Sequence, residues 1–128
     1  MSLTVSDRIE IQELTARYAF AMDNNDTREW LTTWNPEGIW DGPRGTYSGH
    51  SQLKKLLGDL GERVQGKRHV ITNHVIAGDS TRAIQTCYML VIEAKAGGKL
   101  TSTAVYQDEL KKTAGKWLFT QRQMKIDG

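Results

Sequence analysis

The chain has 128 residues, of which 38% are hydrophobic and 25% are charged. This globular mixture contains no apolar run near the roughly 20 residues that a membrane span needs, so no membrane association is predicted. Lys and Arg outnumber Asp and Glu only by 17 to 15, and the basic pairs are scattered among acids, so nucleic acid is not a predicted partner.

The first part of the chain predicts two helices. Residues 4–7 fit a capping box, and a helix follows over about residues 5–23. One face of this helix carries the apolar residues Ile11, Leu14, Tyr18 and Met22. Residues 26–29 form a second capping box, which predicts a short second helix containing Trp30.

The rest of the chain predicts one more helix and a sheet. Residues 39–41 and 46–48 are typical of two short strands around a turn, and a third helix runs from residue 51 to about residue 60. Four long antiparallel strands then follow: His69–Ala77, Arg82–Ala94, Lys99–Leu110 and Lys116–Ile126. Helices in the first half of the chain and an antiparallel meander in the second half predict an α+β fold in one domain, residues 1–128.

Asp23 lies at the end of the first predicted helix. A carboxylate there faces the negative end of the helix dipole, at a cost of about 0.3–1 kcal/mol. Asp23 either caps the following turn through its own side chain or has a partner elsewhere in the fold.

His69 opens the first long strand, in the stretch RHVITNH. Alternation divides this strand into one face with His69, Ile71 and Asn73 and another with Val70, Thr72 and His74. If the first face is inward, Asp23 could hold one ring nitrogen of His69 while the other nitrogen acts as a general base. An ordinary surface or core histidine is the alternative, and His50 and His74 are interpreted in that way.

Further residues on the inward faces are candidates for the walls of a cavity. Tyr18 lies on the apolar face of the first helix, so its hydroxyl either donates a hydrogen bond into the cavity or is satisfied in the core. The residues expected to contact a substrate are Met22, Trp40, Asp41, Tyr106 and Asp108. The third long strand offers room for a cavity because Ser102 and Ala104 are small.

Four stretches together resemble a known family: IQELTARYAFAMDNND, GIWDG with GTYSG, RHVITN, and YQDELKKTAGKWLFTQRQMKID. They are similar to the SnoaL-like branch of the nuclear transport factor 2-like superfamily. The pattern is nearest to scytalone dehydratase, bile acid 7α-dehydratase and hexachlorocyclohexane dehydrochlorinase. The resemblance implies a cone-shaped α+β barrel in which three helices close over a strongly curved sheet around a deep apolar pocket.

The resemblance also implies roles for particular residues. An aspartate ending the first helix and a histidine opening the first long strand form the catalytic dyad of that group, and they correspond to Asp23 and His69. Tyr18 corresponds to a substrate-polarising tyrosine of the dehydratases. The implied activity is a cofactor-independent elimination on a small apolar, ring-containing molecule. The dehydratases carry a further His or Asp in the second long strand, where this chain has Thr86, Cys87 and Tyr88.

Two alternative functions stay open at this point. Ketosteroid isomerase shares the fold but uses an aspartate base, a tyrosine and a second aspartate, which would correspond to Asp41, Tyr18 and Asp108. A pocket-bearing binding or assembly module without catalysis, similar to the small subunits of ring-hydroxylating dioxygenases, is the other alternative.

The sequence also leads to expectations about location, cofactors and assembly. The N-terminus lacks the features of a signal peptide and Cys87 is the only cysteine, so we expect a cytoplasmic protein without disulfides. No phosphate loop, metal-spaced cluster or Gly-x-Ser-x-Gly motif occurs, so we expect no cofactor and no metal. The open sheet needs cover on its outer face, which predicts a dimer or trimer of identical chains.

Overall fold

The computed structural model describes residues 1–128 as three helices and one six-stranded sheet, which confirms the α+β class. The helices are α1 (Val5–Asp23), α2 (Thr27–Thr32) and α3 (Gly49–Val64). The strands are β1 (Trp34–Gly42), β2 (Gly45–Ser48), β3 (Lys67–Gly78), β4 (Arg82–Glu93), β5 (Lys99–Thr113) and β6 (Lys116–Ile126). None of the three helices has the length and apolar character that crossing a bilayer requires.

The strands follow the order β2-β1-β6-β5-β4-β3 across the sheet. The four long strands form the predicted antiparallel meander, and β1 lies parallel to β6 at its edge. β1 begins five residues earlier than predicted, because Trp34 pairs with Phe119 before the register shifts at Ile39. α3 likewise begins at Gly49, two residues before the predicted start.

The sheet curves because its register shifts in four of the five strand pairs, at Trp34/Ile39, Thr72/Val75, Val91/Ile92 and Glu109/Leu110. An extra residue on one strand bends that strand and increases its twist. α1 packs on β3 and α3 packs on β1, so the helices cover the concave face. The curved sheet and the helices together enclose space between them.

Part of the core between the helices and the sheet is aromatic. Tyr18, Trp30, Trp34 and Phe119 are at most 1% exposed, and their neighbouring rings lie 5.5 to 6.0 Å apart. Burial of such a side chain stabilises the fold by about 1.5–3 kcal/mol. This cluster fixes the middle of α1 against β6, and so it determines where the end of α1 lies.

The start of α1 is held by the predicted capping box. The Asp7 backbone N–H donates to the Thr4 hydroxyl, and the Thr4 backbone N–H donates to the Asp7 carboxylate, both at 3.0 Å. The same carboxylate accepts hydrogen bonds from Lys112 and from the Trp117 indole, both at 3.1 Å. Asp7 therefore caps α1 and joins it to the hairpin of β5 and β6.

Candidate active site

Asp23 and His69 form a hydrogen-bonded pair where the end of α1 meets the start of β3. The Asp23 Oδ1 atom lies 2.6 Å from His69 Nδ1, and the carboxylate also accepts the His69 backbone N–H at 3.1 and 3.2 Å. The side chains of His69 and Asp23 are only 8% and 6% exposed. The carboxylate that ends the helix thus has partners that offset the unfavourable helix dipole.

The contact with Asp23 determines which ring nitrogen of His69 is free. A carboxylate only accepts hydrogen bonds, so in the neutral ring the proton is on Nδ1 and the lone pair is on Nε2. His69 lies in the wall of a cavity. Nε2 is therefore the atom that is left to accept a proton from a bound molecule.

The cavity has a volume of about 500 Å³ and lies between α3, the turn after β1 and the concave face of the sheet. Sites for small molecules have volumes of about 300–1,000 Å³. Nine of the sixteen lining residues are hydrophobic, including Met22, Trp40 and Tyr106, which the sequence had singled out. The other apolar side chains of the wall include Leu60, Val64, Met89, Val91, Met124 and Ile126. The cavity therefore suits a mainly apolar molecule.

Tyr18 lies outside the residues that line this cavity. Its side chain is enclosed by the aromatic core and by the Arg122 guanidinium, which lies 4.5 Å from the ring centroid. The hydroxyl is buried and has no hydrogen-bond partner. Burial raises the pKa of Tyr18 to about 12, so the hydroxyl stays protonated. Contrary to the sequence-based expectation, the structure does not bring this tyrosine to the cavity wall, because the middle of α1 faces the aromatic core.

Tyr106 is the tyrosine that the structure places in the cavity wall. The Arg122 guanidinium lies 3.6 Å from the centroid of its ring. Burial raises the pKa of Tyr106 well above its ordinary value, so this hydroxyl also remains a hydrogen-bond donor. A donor at the cavity wall can polarise a carbonyl or a leaving oxygen.

Asp108 is fully buried and lies outside the cavity lining. Arg122 holds its carboxylate through two hydrogen bonds, from Nε at 2.9 Å and from Nη2 at 3.2 Å. Gln85 donates to it at 2.8 Å. Burial raises the pKa of Asp108, and Arg122 opposes this rise because it stabilises the charged form. Asp108 therefore links β5 to β4 and β6 through buried hydrogen bonds and does not face this cavity.

Asp41 does not line the cavity either. Its Oδ1 atom accepts a hydrogen bond from the Thr46 hydroxyl at 3.1 Å across the β1–β2 hairpin. With Asp41, Tyr18 and Asp108 all outside the wall, the isomerase-like constellation is not assembled around this cavity.

His74 corrects the prediction from strand alternation. Asn73 has a positive φ of 60°, and the register of β3 shifts between Thr72 and Val75. This bulge turns His74 to the same face as His69, where its Nδ1 lies 2.9 Å from the buried Gln85 Oε1. The sequence-based assignment of His74 to the opposite face was wrong, because simple alternation does not allow for an extra residue.

Sequence reasoning missed Gln85 and Arg122. Both are buried, and they lie beside Asp108 on the neighbouring strands, as its register partners. One signal could have pointed to them, since a buried aspartate requires a charged or polar partner. Choosing that partner requires the register of β4 and β6, which the sequence alone does not provide.

The comparison with protein families agrees with this fold. The model of the SnoaL-like domain matches residues 3–123. The chain belongs to the SnoaL-like domain family. The resemblance recognised in the sequence is thereby confirmed, whereas no functionally curated protein matches the chain.

Solved structures similar to this SnoaL-like chain extend over nearly its whole length. A cystatin-like protein of unknown function from Nostoc punctiforme is 30% identical, with a TM-score of 0.95, and the match covers 99% of this chain and 96% of that one. A Catenulispora acidiphila protein in complex with S-DNPA is 25% identical, with a TM-score of 0.85 and coverages of 97% and 96%. A proposed scytalone dehydratase from Novosphingobium aromaticivorans is 21% identical, with a TM-score of 0.82 and coverages of 97% and 86%.

Proposed function

We propose that this protein is an enzyme that removes a proton from carbon and eliminates a neighbouring group, such as hydroxide, from a small apolar, ring-containing molecule. His69 is the general base and Asp23 is the residue that positions it. The observation that carries this proposal is the 2.6 Å contact between Asp23 and His69 Nδ1, with His69 in the wall of a 500 Å³ cavity.

The proposed step begins when His69 Nε2 takes a proton from the carbon next to the one that bears the leaving group. The electrons of that C–H bond form the new double bond, and the bond to the leaving oxygen breaks. Tyr106 donates a hydrogen bond to that oxygen as its charge develops. The imidazolium, stabilised by Asp23, then returns its proton to the departing hydroxide, which leaves as water.

A reaction with an artificial substrate tests the base without knowledge of the natural one. In 5-nitrobenzisoxazole, a base removes a carbon-bound proton while the N–O bond breaks, and a coloured cyanonitrophenolate forms. We expect catalysed opening of this ring, with kcat/KM reduced by about 100-fold or more in His69→Ala. His50→Ala is the matched control, because His50 binds the Trp34 carbonyl and lies outside the cavity. Equal rates for wild type and His69→Ala would contradict the proposal.

The role of Asp23 has a readout that is separate from activity. In the wild type we expect ¹⁵N NMR of neutral His69 to show the proton on Nδ1, since Asp23 accepts it there. In Asp23→Ala this acceptor is absent, and the population should shift towards the tautomer protonated on Nε2. The control Asp59→Ala changes an exposed aspartate of α3. An unchanged tautomer in Asp23→Ala would rule out positioning by Asp23.

A further inference from the structure

The charged side chains in the cavity wall are all basic. Arg44, Arg63 and Lys67 line the cavity, together with His69, and no aspartate or glutamate does so. Arg44 lies in the turn after β1, Arg63 lies in the last turn of α3, and Lys67 begins β3. Arg44 and Arg63 are exposed and Lys67 is half-buried, so these three cations lie at the solvent-exposed end of the cavity wall, which we call the mouth.

These cations are free of partners within the protein. The ion pairs of this chain involve Arg17, His69, Lys112 and Arg122, and none of them involves a cation of the mouth. Glu93 lies opposite Lys67 across the β3–β4 ladder but forms no ion pair with it. The position of Arg63 at a helix end is favourable for the helix dipole. That explanation does not apply to Arg44 or Lys67.

The strand register orders the groups from the mouth inward. Lys67 lies two residues before His69 on the same face of β3, about 7 Å away at some 3.3 Å per residue. His69 is level with Val91, and Met89 lies in the next row inward, beside Ile71. Tyr106, opposite Cys87, belongs to the row beyond that. From the mouth inward, the wall thus carries first a charged side chain, then the base His69, and then mainly apolar side chains.

We infer that the ligand of this cavity is an organic anion: its rings are the apolar part proposed above, and it also carries a carboxylate or sulfonate group that stays at the mouth. This inference rests on the proposed function only in taking the same cavity as the ligand site. The apolar rings fill the inner cavity, and the acidic group remains beside Lys67, Arg63 and Arg44, half in water. The anion would then lie about one ring width from the carbon that faces His69.

Two fluorescent dyes with nearly the same rings test this inference. 1-Anilinonaphthalene-8-sulfonate carries a sulfonate, and N-phenyl-1-naphthylamine lacks it. We expect the sulfonate dye to bind about fivefold or more tightly than the neutral dye at low salt, and this preference to decrease as salt screens the charges. Binding is measured by titration of the dye fluorescence.

Matched variants localise the effect. Arg63→Gln with Lys67→Gln should remove most of the preference for the sulfonate dye and leave binding of the neutral dye unchanged. Lys54→Gln with Lys55→Gln removes the same net charge from exposed positions of α3 outside the cavity, and should preserve the preference. Equal affinity for the two dyes, no binding of either dye, or the same loss in both double variants would overturn the inference.

This outcome is separable from that of the proposed function. His69→Ala should keep the preference for the sulfonate dye, because the charges at the mouth remain. Catalysed ring opening without a preference for the anionic dye would leave the base in place and disprove the anionic ligand. A preference for the anionic dye without any effect of His69→Ala on ring opening would support the anionic ligand and disprove His69 as the base.

Discussion

At the scale of single residues, the two buried tyrosines have different surroundings. The Tyr106 side chain lines the cavity, whereas the Tyr18 hydroxyl is enclosed without a partner. Both have raised pKa values because of burial, so neither ionises near neutral pH. The different roles proposed for them therefore depend on position and not on acidity.

We predict different effects on activity for two conservative substitutions. Tyr106→Phe should lower kcat/KM for ring opening of 5-nitrobenzisoxazole by about 10- to 100-fold, because a donor to the developing phenolate is lost. Tyr18→Phe should keep the activity, and it should leave stability unchanged or raise it by about 1 kcal/mol, because an unpaired buried hydroxyl is removed. Steady-state kinetics and urea unfolding measure the two effects. Loss of activity in Tyr18→Phe alone would instead identify Tyr18 as the donor.

At the scale of elements, the N-terminus of α1 is coupled to the β5–β6 hairpin through one carboxylate. The backbone of Thr4 and the indole of Trp117, followed by Lys112, hold the pKa of Asp7 well below its usual range. The unfolded chain therefore binds a proton at Asp7 more readily than the folded chain does. In the pH range in which the unfolded chain binds more protons than the folded chain, the free energy of unfolding rises with pH.

The contribution of Asp7 to the free energy of unfolding should consequently decrease at low pH. Its contribution is fully present above the unfolded-state pKa of about 3.9, and it is lost as the pH falls towards the lowered folded-state value. We expect Asp7→Asn to be less stable than wild type at pH 7, with a smaller decrease in stability between about pH 6 and pH 3. Urea unfolding at several pH values in this range measures the free energy of unfolding of both proteins. Asp59→Asn should keep the slope of wild type, and a wild-type slope in Asp7→Asn would contradict the assignment.

At the scale of the whole molecule, the outer face of β3 and β4 is apolar and open to solvent. Val75, Ile84 and Tyr88 are 70%, 60% and 49% exposed, and Val70 is 41% exposed. Val75 is level with Thr86, which lies between Ile84 and Tyr88 on the same face of β4, so Val75 is a diagonal neighbour of both. Val70 is level with Leu90, two residues beyond Tyr88. An apolar patch of this kind is typical of a protein interface.

We therefore predict that two or three copies of the chain assemble through this outer face. Light scattering coupled to size exclusion should give the mass of a dimer or trimer for the wild type. Ile84→Lys with Tyr88→Lys should shift the mass towards the monomer. Ile9→Lys with Phe20→Lys is the matched control, because those exposed residues lie on α1. A monomeric wild type would disprove the prediction.

Much of the fold follows from local chemistry. The predicted capping box at Thr4 is complete and marks the start of α1. At the start of α2 the Asp26 side chain accepts the Glu29 backbone N–H, but the return bond of the predicted second box is not formed. Runs of β-branched and aromatic residues identify the four long strands. Alternation also placed Tyr106 and Asp108 on the inward face of β5, where both are buried.

The sequence by itself determined the elements, the fold class, and the two residues that the structure brings together as a pair, Asp23 and His69. These depend on spacing within a segment and on a resemblance that covers nearly the whole chain. Only the tertiary structure decided that Tyr106 and not Tyr18 faces the cavity, that Arg122 pairs with Asp108, and that His74 turns inward. The physical reason is that these contacts depend on strand register, bulges and the packing of α1 on the sheet, which join residues far apart in the chain.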